Sequence, residues 1–100
     1  AAAPGTTSFR MLGEGQGCVY GCSSGVADYT STEYRIAPQG HPDQEGFVVL
    51  EGVGWAKVGD EEQRVGPGDC FVAPAHAPHG VRRDPAVPRL RVCWFHGAIA

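Results

Sequence analysis

Hydrophobic positions along this chain recur at every second residue, in short runs separated by turn residues. Tyr29-Thr30-Ser31-Thr32-Glu33-Tyr34-Arg35-Ile36 is β-branched and aromatic, with Thr32, Tyr34 and Ile36 on one face and Ser31, Glu33 and Arg35 on the other. That alternation predicts a strand. Gly46-Phe47-Val48-Val49-Leu50-Glu51 predicts a second, apolar on both faces and therefore expected to be covered on both sides. Trp55-Ala56-Lys57-Val58 and Gln63-Arg64-Val65 read as the arms of a hairpin closed by Gly59-Asp60-Glu61-Glu62. Cys70-Phe71-Val72-Ala73 reads as a short buried strand ended by Pro74, and Val81-Arg82-Arg83 as another short one. Arg89 to His96 reads as the last strand, with Leu90, Val92, Trp94 and His96 on one parity. Turns fall at Gly52-Val53-Gly54 and Gly66-Pro67-Gly68-Asp69. About eight short strands with regular turns describe an all-β sandwich or barrel.

Composition supports this reading. The 100 residues include 15 glycines and 8 prolines, about twice the usual share. A helix bundle is excluded, because inside a helix glycine costs about 1 kcal/mol and proline about 3 kcal/mol relative to alanine. The glycines have no three-residue period, which excludes collagen. A 42% hydrophobic content and a net charge of −3 argue against disorder. The length suits one domain over residues 1–100, with residues 1–8 expected as a frayed terminus.

A sequence pI near 5.7 gives no electrostatic case for nucleic acid. The arginines at 82, 83, 89 and 91 read as a solvated strand edge and loop, although such a cluster suits a phosphate or carboxylate. No apolar run approaches the roughly 18 residues of a membrane span, and the opening Ala1-Ala2-Ala3-Pro4-Gly5-Thr6-Thr7 lacks the regions of a signal peptide. Cys70 and Cys93 lie in apolar runs and read as buried free thiols. Cys18 and Cys22 form a weak half-site for zinc, with no second pair at ligand spacing. Reduced cysteines suggest a cytoplasmic address.

The candidate chemistry lies in two proline-stiffened segments. In Gln39-Gly40-His41-Pro42-Asp43-Gln44-Glu45, Glu45 heads the strand that is apolar on both faces, where an unpartnered carboxylate is expensive. In Pro74-Ala75-His76-Ala77-Pro78-His79, His79 stands on a loop leaving a strand. Two histidines and one carboxylate at strand ends can form a facial triad of the non-haem iron type. His76 reads as a rim residue and His96 as structural. Phe47, Trp55, Phe71 and Trp94 suit either a pocket wall or plain core.

Gln39-x-His41-x3-Glu45-x6-Gly52 resembles the first motif of the cupins, in which two histidines, a glutamate and a glycine stand at this spacing. Gly68-x5-Pro74-x-His76-x2-His79 resembles their second motif. The motifs and their connector span residues 39–83. The resemblance implies a cupin double-stranded β-helix, a jelly-roll barrel that often dimerises. It implies a divalent metal ion inside the barrel, iron, manganese, zinc or nickel, held by His41, Glu45 and His79. Three departures stand out. Gln39 occupies the place of the first histidine and brings a weaker amide oxygen, His76 occupies the place of a glycine, and Arg83 that of an asparagine. Gln39 or water then fills the fourth ligand position.

Two functions follow. The first is a metal-dependent enzyme, of dioxygenase or isomerase type, acting on a small molecule. The second is a non-catalytic cupin module that binds or senses a small ligand. A homodimer is expected from the resemblance and from strands apolar on both faces. Nucleic acid and membrane are not expected partners.

Overall fold

Alternation builds strands here because successive side chains point to opposite faces of a pleated backbone. The computed structural model describes residues 5–36 and 42–97. Eight strands run in order: β1 Thr6–Leu12, β2 Ser23–Tyr29, β3 Glu45–Glu51, β4 Gly54–Val58, β5 Glu61–Val65, β6 Cys70–Ala73, β7 His79–Arg83 and β8 Leu90–His96. A single 3-10 turn, Glu14–Gln16, lies between β1 and β2. The strands form a five-stranded sheet ordered β1-β2-β8-β3-β6 and a three-stranded sheet ordered β5-β4-β7. Every pairing is antiparallel. This is the all-β jelly-roll barrel expected of a cupin.

The core lies between the sheets and is stacked in rows set by strand register. Ala27, Val92 and Val49 stand side by side on β2, β8 and β3, and all three are buried. The next row is Gly25, Trp94, Phe47 and Phe71. Gly25 is glycine because the Trp94 ring lies over it: a Cβ there would stand 2.7 Å from Cζ2 of the indole and would also strike the Phe9 carbonyl. Ala56, Val65 and Val81 close the core from the smaller sheet. Past the aromatic row comes a polar one, Ser23, His96, Glu45 and Ala73. The barrel mouth begins there.

Four expectations need correction. The strand foreseen over residues 29–36 lies instead at Ser23–Tyr29. The Ser31 hydroxyl donates to the Glu33 carbonyl at 2.9 Å and accepts from the Glu33 amide at 3.0 Å. This local loop competes with a ladder. Residues 31–36 instead lie against the smaller sheet, where Tyr34 donates to Glu62 at 2.6 Å and Ile36 occupies the space left by Gly80. Second, the terminus expected to fray carries β1 from Thr6, paired with β2; residues 1–4 lie outside the described residues. Third, among the described residues β3 is fully covered on one face, where Phe47 and Val49 are buried, and incompletely on the other, where Val48 is half-buried and Leu50 is exposed. Fourth, Cys70 is exposed and Cys93 half-buried, because both point to the outer face of the larger sheet.

The arginines behave as a solvated edge whose members have partners in the chain. Arg91 makes a bidentate pair with Asp28 at 2.7 and 3.0 Å. Arg89 meets Glu51. Arg83 donates to the carbonyls of Thr30 and Val87. Arg82 stacks on Trp55 at 4.0 Å, with Arg64 at 4.4 Å from the same ring. Trp55 is therefore an outer-surface residue rather than a pocket wall.

Candidate functional site

Glu45 is the first residue of β3 and His96 the last of β8, and the two are directly opposite in register. Directly opposed residues share a face. Since Trp94 and Phe47 in the preceding row point inward, Glu45 and His96 do as well. His79, the first residue of β7, reaches the same place from the smaller sheet. His79 is thus on a strand end rather than a loop. Its Nε2 is 3.1 Å from Glu45 Oε1. Glu45 Oε2 is 3.5 Å from His96 Nε2. Asp43, two residues before β3, meets Nδ1 of His96 in a very short contact. Carboxylates and imidazoles therefore alternate across the mouth: Asp43, His96, Glu45, His79.

His79 is held from both sides. Its Nδ1 faces the Ala77 carbonyl at 3.0 Å, so that nitrogen donates a proton. With Nε2 against a carboxylate as well, the charged ring is favoured. The hydrogen bond to Glu45 pushes the His79 pKa above the ordinary imidazole value, against the opposing effect of burial. Its side chain is 14% exposed and that of Glu45 12%. Both are nearly closed off yet reach a cavity.

That cavity measures about 200 Å³ and is lined by Tyr29, Phe47, Phe71 and Val81 together with Glu45 and His79, and by Ser31, Glu33 and Arg35 of the segment that follows β2. Phe47 and Phe71 stack at 4.7 Å between centroids, and Phe47 also touches the His79 ring. Burial, followed by the charge of Glu45, pushes the Tyr29 phenol well above its ordinary pKa, so Tyr29 keeps its proton. A second, more open hollow lies on the other side of Glu45, lined by Ser8, Arg10, Trp94 and His96. The Trp94 ring meets His96 edge-on at 5.4 Å, and its buried indole N–H has no acceptor among the described residues.

The foreseen site residues fare differently. Glu45 and His79 come together as a bonded pair. Gln39 and His41 lie outside the described residues. His76 is exposed, as a rim residue would be, and adopts a positive φ of 65°. His96 and Asp43 belong to the site although the sequence reading gave neither a site role. The shared parity of Leu90, Val92, Trp94 and His96 was the available signal for His96. For Asp43 the signal was its place two residues before Glu45.

The donors fit a metal ion in part. Two ligands bound to one ion at about 2.1 Å lie roughly 3.0 to 3.4 Å apart, which matches the 3.1 Å between His79 Nε2 and Glu45 Oε1. A ligating histidine usually donates its other ring N–H to a carbonyl or carboxylate, as His79 does to Ala77. Among the described residues, no group of three or more His, Cys, Asp or Glu side chains is arranged to hold an ion.

Comparison with known proteins defines the class. The family model described as "Cupin domain" matches residues 25–95, and the chain belongs to that family. Among solved structures, hydroxypropylphosphonic acid epoxidase from S. wedmorenis superposes with a TM-score of 0.78 at 16% identity, covering 94% of this chain and 51% of that one. The iron(II) form of HppE gives 0.77 at 17% identity, covering 92% of this chain and 50% of that one. The cobalt(II) form of HppE in complex with Tris buffer gives 0.77 at 17%, covering 96% and 55%. At these identities the likeness is one of fold, and the chain spans about half the length of these structures. No curated protein matches the chain.

Proposed function

We propose that this cupin domain binds a divalent metal ion inside its barrel through His41, Glu45 and His79, with Gln39 or water in the fourth place, and acts on a small molecule as a metal-dependent enzyme of dioxygenase or isomerase type. One observation carries the reading: His79 and Glu45 meet at ligand-to-ligand spacing on the wall of a cavity that Tyr29, Phe47 and Phe71 also line. The names of the iron(II) and cobalt(II) HppE structures support it. The ion would supply Lewis acidity or, as iron, redox chemistry. The chain's residues supply the rest. Ala77 fixes the His79 ring, Phe47 and Phe71 keep water from one wall, and Tyr29, which keeps its proton, can donate a hydrogen bond to a substrate oxygen. A binding or sensing module without turnover is the second reading, favoured by Gln39 standing where a histidine is usual.

The reading also includes a homodimer and a reducing, cytoplasmic setting. The first is supported by the exposed apolar outer face of the larger sheet, the second by the free cysteines. None of the described helices is long and apolar enough to cross a membrane.

Metal analysis of the purified protein and of His41→Ala and His79→Ala tests the site. The wild type is expected to hold a stoichiometric ion, and each substitution to lose most of it. A metal-free wild type whose small-molecule binding and stability survive both substitutions would falsify the assignment. A metal-loaded protein that binds small molecules but turns none over favours the sensor reading.

A further inference from the structure

We propose that the Asp43–His96 pair is a positioning device for Glu45, an inference that rests on the metal reading above and gives a role to two residues that neither sequence motif specifies. Register alone brings His96 opposite Glu45. What happens there is less ordinary. The His96 ring is fixed at Nδ1 by the Asp43 carboxylate and on its edge by Trp94. Its Nε2 is thereby aimed at Glu45 Oε2, 3.5 Å away, an ion-pair distance rather than a tight hydrogen bond.

Glu45 has two oxygens and two imidazole neighbours. His96 faces Oε2 from the larger sheet and His79 faces Oε1 from the smaller one. With Oε2 engaged on one side, the carboxylate plane is set, and Oε1 is directed toward His79 and the cavity. A glutamate has three rotatable side-chain bonds, and restricting them before a ligand arrives lowers the cost of binding. Partners behind a ligating group that fix its orientation typically account for 10- to 100-fold in metal affinity. Neither residue is needed to build the sheet. Asp43 precedes β3, and the pairing of β8 with β3 is made by the backbone. Both side chains are largely but not fully covered, at 23% and 18% exposed, and so stand at the mouth rather than in the core.

Cobalt(II) is the probe, titrated into chelator-treated protein in competition with a coloured chelator. The variants are His96→Phe, His96→Gln and Asp43→Ala, each with its metal-free melting temperature. The wild type is expected to bind cobalt. His96→Phe and Asp43→Ala should bind it about 10- to 100-fold more weakly while melting within a few degrees of wild type. His96→Gln, whose amide N–H can still meet Oε2, should recover much of the loss. Should His96→Phe fail to fold, Asp43→Ala reads the same device from the barrel mouth. Unchanged affinity in a cobalt-binding background overturns the positioning role and leaves the metal site standing. Affinity that falls only in step with melting temperature also overturns it. A wild type that binds no cobalt overturns both this inference and the metal reading.

Discussion

His79 sits between two oxygen acceptors, the Ala77 carbonyl and the Glu45 carboxylate. In the metal-free protein this favours the imidazolium, and the folded-state pKa lies above the ordinary value of about 6.5. A raised pKa stabilises the fold fully below the unfolded value, and that contribution disappears as pH rises through the folded one. Melting temperatures of chelator-treated wild type and His79→Gln should therefore differ most below about pH 6.5 and converge at alkaline pH. A gap independent of pH would show that the pairing contributes no charged stabilisation. Metal binding should run the opposite way, strengthening over the same interval as the proton leaves. At this scale the sequence was readable where spacing constrained it. Glu45 and His79 stood out because a carboxylate and an imidazole fell at motif positions. His96 carried no motif. Its parity with Leu90, Val92 and Trp94 marks it as inward, but only its cross-strand partner reveals that it faces Glu45, and partners are a property of pairing rather than of one strand's pattern.

Among the elements, β2 shows why hydrophobic patterning misplaced a strand. Its inward residues are Ser23, Gly25, Ala27 and, at its end, Tyr29; the first three are buried and small. They are small because the bulky residues facing the same space, Trp94 above all, come from β8. A strand that contributes room over most of its length has a weak hydrophobic signature. The louder signal of residues 29–36 belongs instead to a segment that packs Tyr34 and Ile36 against the smaller sheet. Gly25→Ala tests this assignment. The added methyl meets the indole and the Phe9 carbonyl, so denaturant unfolding should show a loss of about 1–3 kcal/mol, the usual cost of overpacking. A neutral result would mean that β2 and Trp94 are not in this contact. The strands from β3 to β8 were readable, because each contributes at least one large or β-branched inward residue between clear turns.

For the whole molecule, the outer face of the larger sheet carries a band of exposed apolar residues. Register places Phe9, Val26, Cys93, Val48 and Cys70 in one outer row, and Leu12, Ser24, Phe95, Gly46 and Val72 in the next. Phe9 is 59% exposed and Phe95 49%. If a second copy covers this face, wild type should sediment as a dimer, and Phe9→Glu with Phe95→Glu as a monomer of similar fold. A monomeric wild type would remove the dimer from the reading. The sequence predicted strand count and turns well, but strand order was beyond it: neighbours such as β2 and β8 are separated by most of the chain, and no local pattern encodes that.

That order also has a consequence in time. The last of the eight strands lies at the centre of the five-stranded sheet, between β2 and β3. Until β8 is in place, β2 and β3 share no neighbour, and each exposes an unpaired edge. Contacts this distant along the chain make folding slow and leave open strand edges prone to mispairing meanwhile. Glu45 meets His96 only through the β3–β8 pairing, so the mouth of the barrel acquires its chemistry at the step that completes the sheet. A chain in which β8 has not yet docked has the same residues but lacks the contact between His96 and Glu45.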